Sequence, residues 1–220
     1  MYICRAMEET GEDRTKDQKL LSEVTTLFMT YGIKGMTMDD IAGQLHISKK
    51  TLYRYVSDKA DLVVSCVRME CNREEEQIRK IVAKDLNAID ENIEISQFVL
   101  TQIQQVHPSV FLELEKFYPD AWSQLQDSRK GFTGEVIYNN ITKGIREGYF
   151  RDDVHVEIAT RLWISRINAI FEPKLFPIRE FDLSEVYRQM FIHQIRGLST
   201  AKGLEYIEKR IEPKLNRIKR

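Results

Sequence analysis

The sequence predicts an all-α protein. Apolar residues recur at helical spacing, no sustained period-two alternation is present, and no proline occurs before Pro108. The 220 residues are 42% hydrophobic and 30% charged, an ordinary globular composition with material for one or two cores. Nine or ten helices are expected. No apolar run approaches the roughly 18 residues that span a bilayer. The opening Met1–Met7 is too short and too polar downstream for a signal peptide, and Met7 is an alternative start. The expectation is a cytoplasmic protein with no membrane partner.

The first helix is expected from about Thr15, capped through Thr15 and Gln18, to Tyr31. Its apolar stripe is Leu20, Leu21, Val24, Leu27, Phe28 and Tyr31, and Gly32 ends it. The second runs from a Thr37 cap to about Leu45 and buries Ile41, Ala42 and Leu45. The third runs from a Ser48 cap to about Tyr55 and buries Leu52. A fourth begins after Ser57, with Leu62, Cys66 and Met69 inward, and becomes strongly charged from Arg73 to Glu76.

Further helices are expected at about Ile93–His107, between Pro108 and Pro119, and at about Asp120–Glu147 before Gly148. Three more are expected at about Val154–Phe171, Ser184–Arg196 before Gly197, and Thr200–Ile211. No internal repeat or low-complexity tract occurs.

The net charge is −1, so the chain as a whole is not a basic nucleic-acid binder. Positive charge is instead local. From His46 to Lys59 the chain carries Lys49, Lys50, Arg54 and Lys59 against Asp58 alone. A second basic stretch, Lys209 to Arg220, reads as a solvated helix end and tail. Of the three cysteines, Cys66 and Cys71 lie on different faces of one expected helix, and no second pair completes a zinc site. No cofactor and no metal are expected.

The segment Met36–Lys59 carries the chemistry. A DNA-reading helix must be short, bear cationic and hydroxyl groups for phosphates, and have a partner helix that fixes its angle. Thr37 and Ser48 cap the two helix starts, where amides also face an anion. Lys49, Lys50 and Thr51 occupy the first turn of the second helix of the pair. Tyr53 and Tyr55 reach phosphate oxygens, and Lys59 follows in the next helix. Caps are needed by any short helix, and Tyr55 and Val56 also suit a core, so each signal alone is weak. Their joint spacing points to double-stranded DNA.

Residues Leu27-Phe28, Tyr31-Gly32, Met36–Ala42, Ile47–Tyr55 and Ser57–Leu62 together resemble the N-terminal domain of the tetracycline-repressor (TetR) family, over Leu20 to Val67. The resemblance implies an N-terminal three-helix helix-turn-helix DNA-binding domain followed by a larger helical ligand-binding and dimerisation domain. It also implies Thr37, Ser48, Lys49, Lys50, Thr51, Tyr53, Tyr55 and Lys59 as DNA contacts, with Leu52 in the core. Two positions depart from the family pattern. His46 stands where a turn glycine is common, and histidine tolerates positive φ better than most residues. Val56 stands where phenylalanine is common.

The expected division is residues 1–14 as extension or disorder, 15–68 as DNA-binding domain, 69–212 as regulatory domain and 213–220 as basic tail. The family scheme pairs the helices near Val154–Phe171 and Ser184–Arg196 with their symmetry mates. A homodimer would place two recognition helices on a palindromic operator. Candidates for a small-molecule effector site are Phe98, Gln102, Phe111, Phe117, Tyr118, Trp122, Tyr138 and Trp163, which supply apolar surface with a few polar tips. Each also suits plain core packing. The expected function is a regulator, by the family's usual outcome a repressor, released by a mainly apolar or aromatic ligand.

An enzyme is the rival class. The histidines His46, His107, His155 and His193 are scattered, and no metal-binding histidine pair, nucleophile elbow or phosphate-cradling glycine loop occurs. His155 beside Asp152 and Asp153 reads as a helix start. A second rival is a helical adaptor, or a small-molecule-binding protein, that kept the fold without DNA binding.

Overall fold

The computed structural model describes residues 11–177 and 179–215, with side chains from Gln18 to Lys209. The elements in chain order are α1 (Gly11–Tyr31), α2 (Met38–Gln44), α3 (Lys49–Leu52), α4 (Lys59–Val82), α5 (Ala88–Gln105) and α6 (Val110–Phe117). There follow α7 (Pro119–Ser128), a π-helical turn (Arg129–Thr133), α8 (Gly134–Arg146), α9 (Val156–Ile170), α10 (Leu183–Leu198) and α11 (Ala201–Leu215). The run α7–π–α8 is one unbroken helix from Pro119 to Arg146. Counted once, it brings the described helices to ten, within the sequence expectation. No strand occurs among the described residues; the β pairing there is an isolated bridge between Phe150 and Ser199.

The chain forms two compact units. The first takes the chain up to Arg73 together with Val106–Leu125. The second takes Glu74–Gln105 and Gln126 onward. The regulatory segment expected to begin at residue 69 is therefore divided, because α6 and most of α7 pack with the N-terminal helices. The reason is apolar. Val110, Leu114 and Ala121 are buried in one cluster with Val24 and Phe28 of α1, Ile41 and Ala42 of α2, Leu52 of α3 and Leu62, Val63 and Cys66 of α4. Burying a side chain of this size stabilises by roughly 1.5–3 kcal/mol, so the segment has a strong reason to leave its sequence neighbours.

In the second unit, Ile89 of α5, Ile141 of α8 and Ile195 of α10 share a core with Phe150, Trp163 and Ile207. Gly144 lets Phe150 in: a Cβ there would stand 2.1 Å from the ring. A second cluster gathers Leu100, Ile170 and Tyr187. Among the described residues of this unit, buried side-chain polar atoms all have hydrogen-bond partners. Buried Glu91 accepts from the Asn140 amide at 2.7 Å and from the Lys143 ammonium at 3.1 Å, and Asn140 is also joined to buried Asn92.

Several sequence expectations are corrected. α1 is already helical at Gly11, so Thr15 is interior to the helix rather than its cap, and residues 11–14 are not an unstructured extension. Tyr31 is exposed rather than part of the buried stripe. α5 begins at Ala88, well before Ile93, because the Asn87 side-chain oxygen, Oδ1, accepts from the Ile89 and Asp90 amides and caps it. α10 passes through Gly197 and ends at Leu198. α11 continues to Leu215, past the expected stop at Ile211; the rest of the expected basic tail and residues 1–10 lie outside the described residues. The expected helix-start role of His155 holds, since its Nδ1 faces the Ile158 amide at 3.5 Å.

Candidate nucleic-acid interface

Two short helices and one turn build this surface. α2 has seven residues and starts from a complete capping box. The Thr37 hydroxyl accepts from the Asp40 amide at 3.1 Å and donates to Asp40 Oδ2 at 2.6 Å, and the Thr37 amide donates to the same oxygen at 2.8 Å. Those hydrogen bonds, Thr37 foremost, hold the Asp40 carboxyl below its ordinary value. The Thr37 cap was legible in the sequence. Asp40 as its reciprocal partner was missed, although a short acid three residues after a threonine was the signal.

α2 ends in a Schellman motif. The His46 amide donates to Gly43 O at 3.1 Å and the Ile47 amide to Ala42 O at 3.0 Å. This motif needs a left-handed residue at its centre, and His46 supplies it with φ +53°. The expectation that histidine would take the glycine's conformation is met.

α3 has four residues, Lys49–Leu52, and continues as a looser turn in which Arg54 and Tyr55 donate back to Thr51 and Leu52. Ser48 caps it: its hydroxyl accepts from the Thr51 amide at 3.0 Å and shares a 2.8 Å hydrogen bond with the Thr51 hydroxyl. Leu52 is fully buried and Val56 is buried beside it, which fixes the outward face. That face carries Lys49, Lys50, Arg54, Tyr53 and Tyr55; the two tyrosines are 48% and 40% exposed, so the alternative of Tyr55 in the core is set aside. Lys49 pairs with Asp39 of α2 across the turn, and both groups remain largely in water. Lys50 and Arg54 form no ion pair among the described residues.

Lys59 has a partner the sequence did not reveal. Its half-buried ammonium donates to Ile33 O at 2.7 Å. Burial pulls it below the ordinary lysine value, opposed by the Glu113 and Asp40 carboxylates. Glu113 of α6 accepts from the Ile33 amide at 2.7 Å and the Lys34 amide at 2.8 Å. Nothing in the sequence singled out Glu113, since its partner amides lie 80 and 79 residues away.

The effector-site candidates divide between the two units. Phe111, Phe117, Tyr118 and Trp122 belong to the first, and Phe98, Gln102, Tyr138 and Trp163 to the second. Tyr118 and Trp122 pack on the first unit's core, Trp163 is buried in the second's, and Phe117 and Tyr138 are exposed. Phe98, Gln102 and Phe111 are half-buried.

The model of the family described as bacterial regulatory proteins, tetR family, matches residues 20–66, which hold α2, α3 and the cores of their neighbours. YvaF of Bacillus subtilis, an uncharacterised HTH-type transcriptional regulator, is 25% identical over 83% of this chain and 95% of its own. The HTH-type transcriptional repressor KstR2 of Mycobacterium tuberculosis is 23% identical over 70% of this chain and 82% of its own. The structure of KstR2, described as a ketosteroid transcriptional regulator, aligns with a TM-score of 0.52 at 20% identity, over 84% of this chain and 95% of that one. The regulator FadR of Bacillus subtilis, solved in complex with stearoyl-CoA, aligns with a TM-score of 0.64 at 15% identity, over 82% of this chain and 98% of that one. These structural likenesses carry the fold. No described helix is long and apolar enough to cross a membrane. With the matched helix-turn-helix at its N-terminal end and regulators as its relatives along most of its length, the chain belongs to the TetR family of transcriptional regulators.

Proposed function

We propose that the protein is a cytoplasmic homodimer that reads a palindromic operator in double-stranded DNA through α3 and represses until a small ligand releases it. The observation that carries the DNA reading is the outward face of α3. Lys50, Arg54, Tyr53 and Tyr55 stand in solvent above a buried Leu52, with Thr37 and Ser48 at the adjoining helix starts. Lys50 and Thr51 take the role of base readers. Thr37, Ser48, Lys49, Tyr53 and Tyr55 hold phosphate, since hydroxyl and ammonium groups at helix starts fix a duplex without reading it.

The dimer reading rests on α9. Ile158 and Leu162 lie one helical turn apart on it and are 53% and 51% exposed. Apolar side chains spaced in this way invite a second helix, and a two-fold pairing presents two α3 helices to successive major grooves. The ligand reading is a molecule with a large apolar body. Two relatives point that way: the FadR structure holds stearoyl-CoA, and KstR2 is described as a ketosteroid regulator. Release then requires that ligand prefer the state in which the two α3 helices no longer match the groove spacing.

Selection of bound sequences from random duplex DNA tests the reading. A recovered palindrome supports both DNA reading and two-fold symmetry. Binding that falls with salt yet selects no sequence leaves only a backbone binder, and no salt-dependent binding at all leaves a helical adaptor. With the recovered duplex, stearoyl-CoA and a ketosteroid are the first effectors to add. Saturating binding without loss of operator affinity rejects that effector.

A further inference from the structure

On the reading that α3 reads DNA, we infer that the Ser109–Glu113–Phe117 stripe of α6 is the device that positions the helix-turn-helix, with Glu113 as its positioning residue. The three side chains recur every fourth residue, so they line one face of the helix start and α6. All three meet the turn that joins α1 to α2. At Gly32, φ is +77° and a Cβ would lie 2.8 Å from the Ser109 hydroxyl, so the hydroxyl fills the place where other residues carry a side chain. One turn on, a single oxygen of Glu113 takes both the Ile33 and the Lys34 amides. One turn further, the Lys34 ammonium lies 5.0 Å above the Phe117 ring. Before the stripe, the His107 amide donates to Met29 O at 2.7 Å, and the His107 ring shares a 2.9 Å hydrogen bond with Ser109.

The grip is fixed from behind. Val110 and Leu114, each one residue beyond a gripping residue, are buried in the core that also holds Ile33, Met36, Ile41 and Leu52. Only four residues separate Ile33 from the first residue of α2, Met38. Gly32 is set left-handed, Ile33 and Lys34 are pinned by their amides, and Thr37 is tied to Asp40. Little slack is left between α6 and α2. Since α2 carries α3 through the Schellman turn and the Lys49–Asp39 pair, the attitude of the reading helix follows the turn that α6 holds. Carboxylate bonds to backbone amides are among the stronger hydrogen bonds, so Glu113 is the point where this link is set or broken.

The test uses the full chain and the duplex recovered by selection, at a temperature where circular dichroism shows every variant folded. The readout is the ratio of operator affinity to random-duplex affinity, which a loss of stability in a folded protein does not move. Glu113→Ala is expected to lower that ratio by roughly tenfold. Glu113→Gln, whose amide oxygen still accepts from both amides, is expected to stay within about threefold of the parent, and Phe117→Ala to fall between them. Amide hydrogen exchange at Ile33 and Lys34 reads the grip itself and should quicken in the order Gln, Ala. Unchanged discrimination in folded Glu113→Ala, despite faster exchange at those amides, overturns the inference. If Glu113→Ala does not fold, Glu113→Gln and Phe117→Ala decide: parental discrimination in both, with exchange at Ile33 and Lys34 quickened, overturns it. A wild-type chain that selects no duplex overturns the DNA reading as well. That result differs from failure of the grip alone, in which wild type and variants select equally well.

Discussion

Lys59 and Glu113 hold one peptide group from opposite ends. The Lys59 ammonium donates to the carbonyl of the Ile33–Lys34 peptide at 2.7 Å, and the Glu113 carboxylate accepts from its amide at 2.8 Å. The two charges come from α4 and α6, and the peptide between them opens the turn into α2. The position that the sequence marked for phosphate thereby also takes part in holding this turn.

Lys59→Ala is accordingly expected to act first on stability. It removes the charged donor from the carbonyl of buried Ile33, which keeps only the 3.3 Å hydrogen bond from the Met36 amide, at a cost of about 1–2 kcal/mol. Chemical denaturation measures that loss. The slope of log affinity against log salt should stay as in the parent, whereas a slope reduced by about one unit would put this ammonium on a phosphate.

Lys50→Ala should behave in the opposite way. The side chain is exposed and forms no ion pair among the described residues, so stability should move by less than about 0.5 kcal/mol. Specific binding should weaken by roughly 1–3 kcal/mol while random-duplex binding changes little, as expected of a base reader. Titration of both duplexes at two salt concentrations checks it.

His46→Gly is expected to stabilise by up to about 1 kcal/mol, because glycine takes φ +53° without the strain a Cβ brings. His46 is exposed, so no packing is lost with the ring. A thermal melt that shifts downward would show that the imidazole has a role beyond the turn.

Asp40 gives a pH dependence with a definite sign. Its folded value lies below the ordinary 3.8, so it binds protons less readily folded than unfolded. Its contribution is fully present above about pH 5 and is lost as pH falls through 3.8 and on through the folded value. The difference in melting temperature between wild type and Asp40→Asn should be constant above about pH 5 and shrink below it. A difference that grows as pH falls would reverse the assignment.

Cys66 should be inert in the folded protein. Burial pushes its thiol from 9.0 up to about 12, which at pH 8 leaves about a thousandfold less thiolate than a free thiol has. Cys71 is buried as well. Mass spectrometry after iodoacetamide treatment should find both unmodified in the native chain and alkylated in denaturant. Rapid native labelling of Cys66 would contradict its burial.

The helix-turn-helix was legible because its determinants are local. Thr37 and Ser48 are caps within a few residues of the amides they serve, Gly32 and His46 mark the two left-handed turns, and Leu52 sits at the period of a single buried face. What the sequence hid was long-range. Glu113 looks like any surface acid on a short helix, and its role exists only because folding brings Ile33 and Lys34 to it. Lys59 read as one more cation in a basic stretch for the same reason. The eight candidate effector residues show the limit most clearly: aromatic spacing marks a helix's apolar face, but not which of two cores that face joins.

The split of the first unit along the chain has a consequence for how the protein is made. Its core draws on residues up to Arg73 and again on Val106–Leu125. On a ribosome adding roughly 5–20 residues per second, the segment carrying Ser109, Val110, Glu113 and Leu114 emerges several seconds after α3 and the first half of α4. During that interval Val24, Ile41 and Leu62 are still short of the partners that α6 brings. The first unit's core is thus complete only when the chain has grown past Ala121.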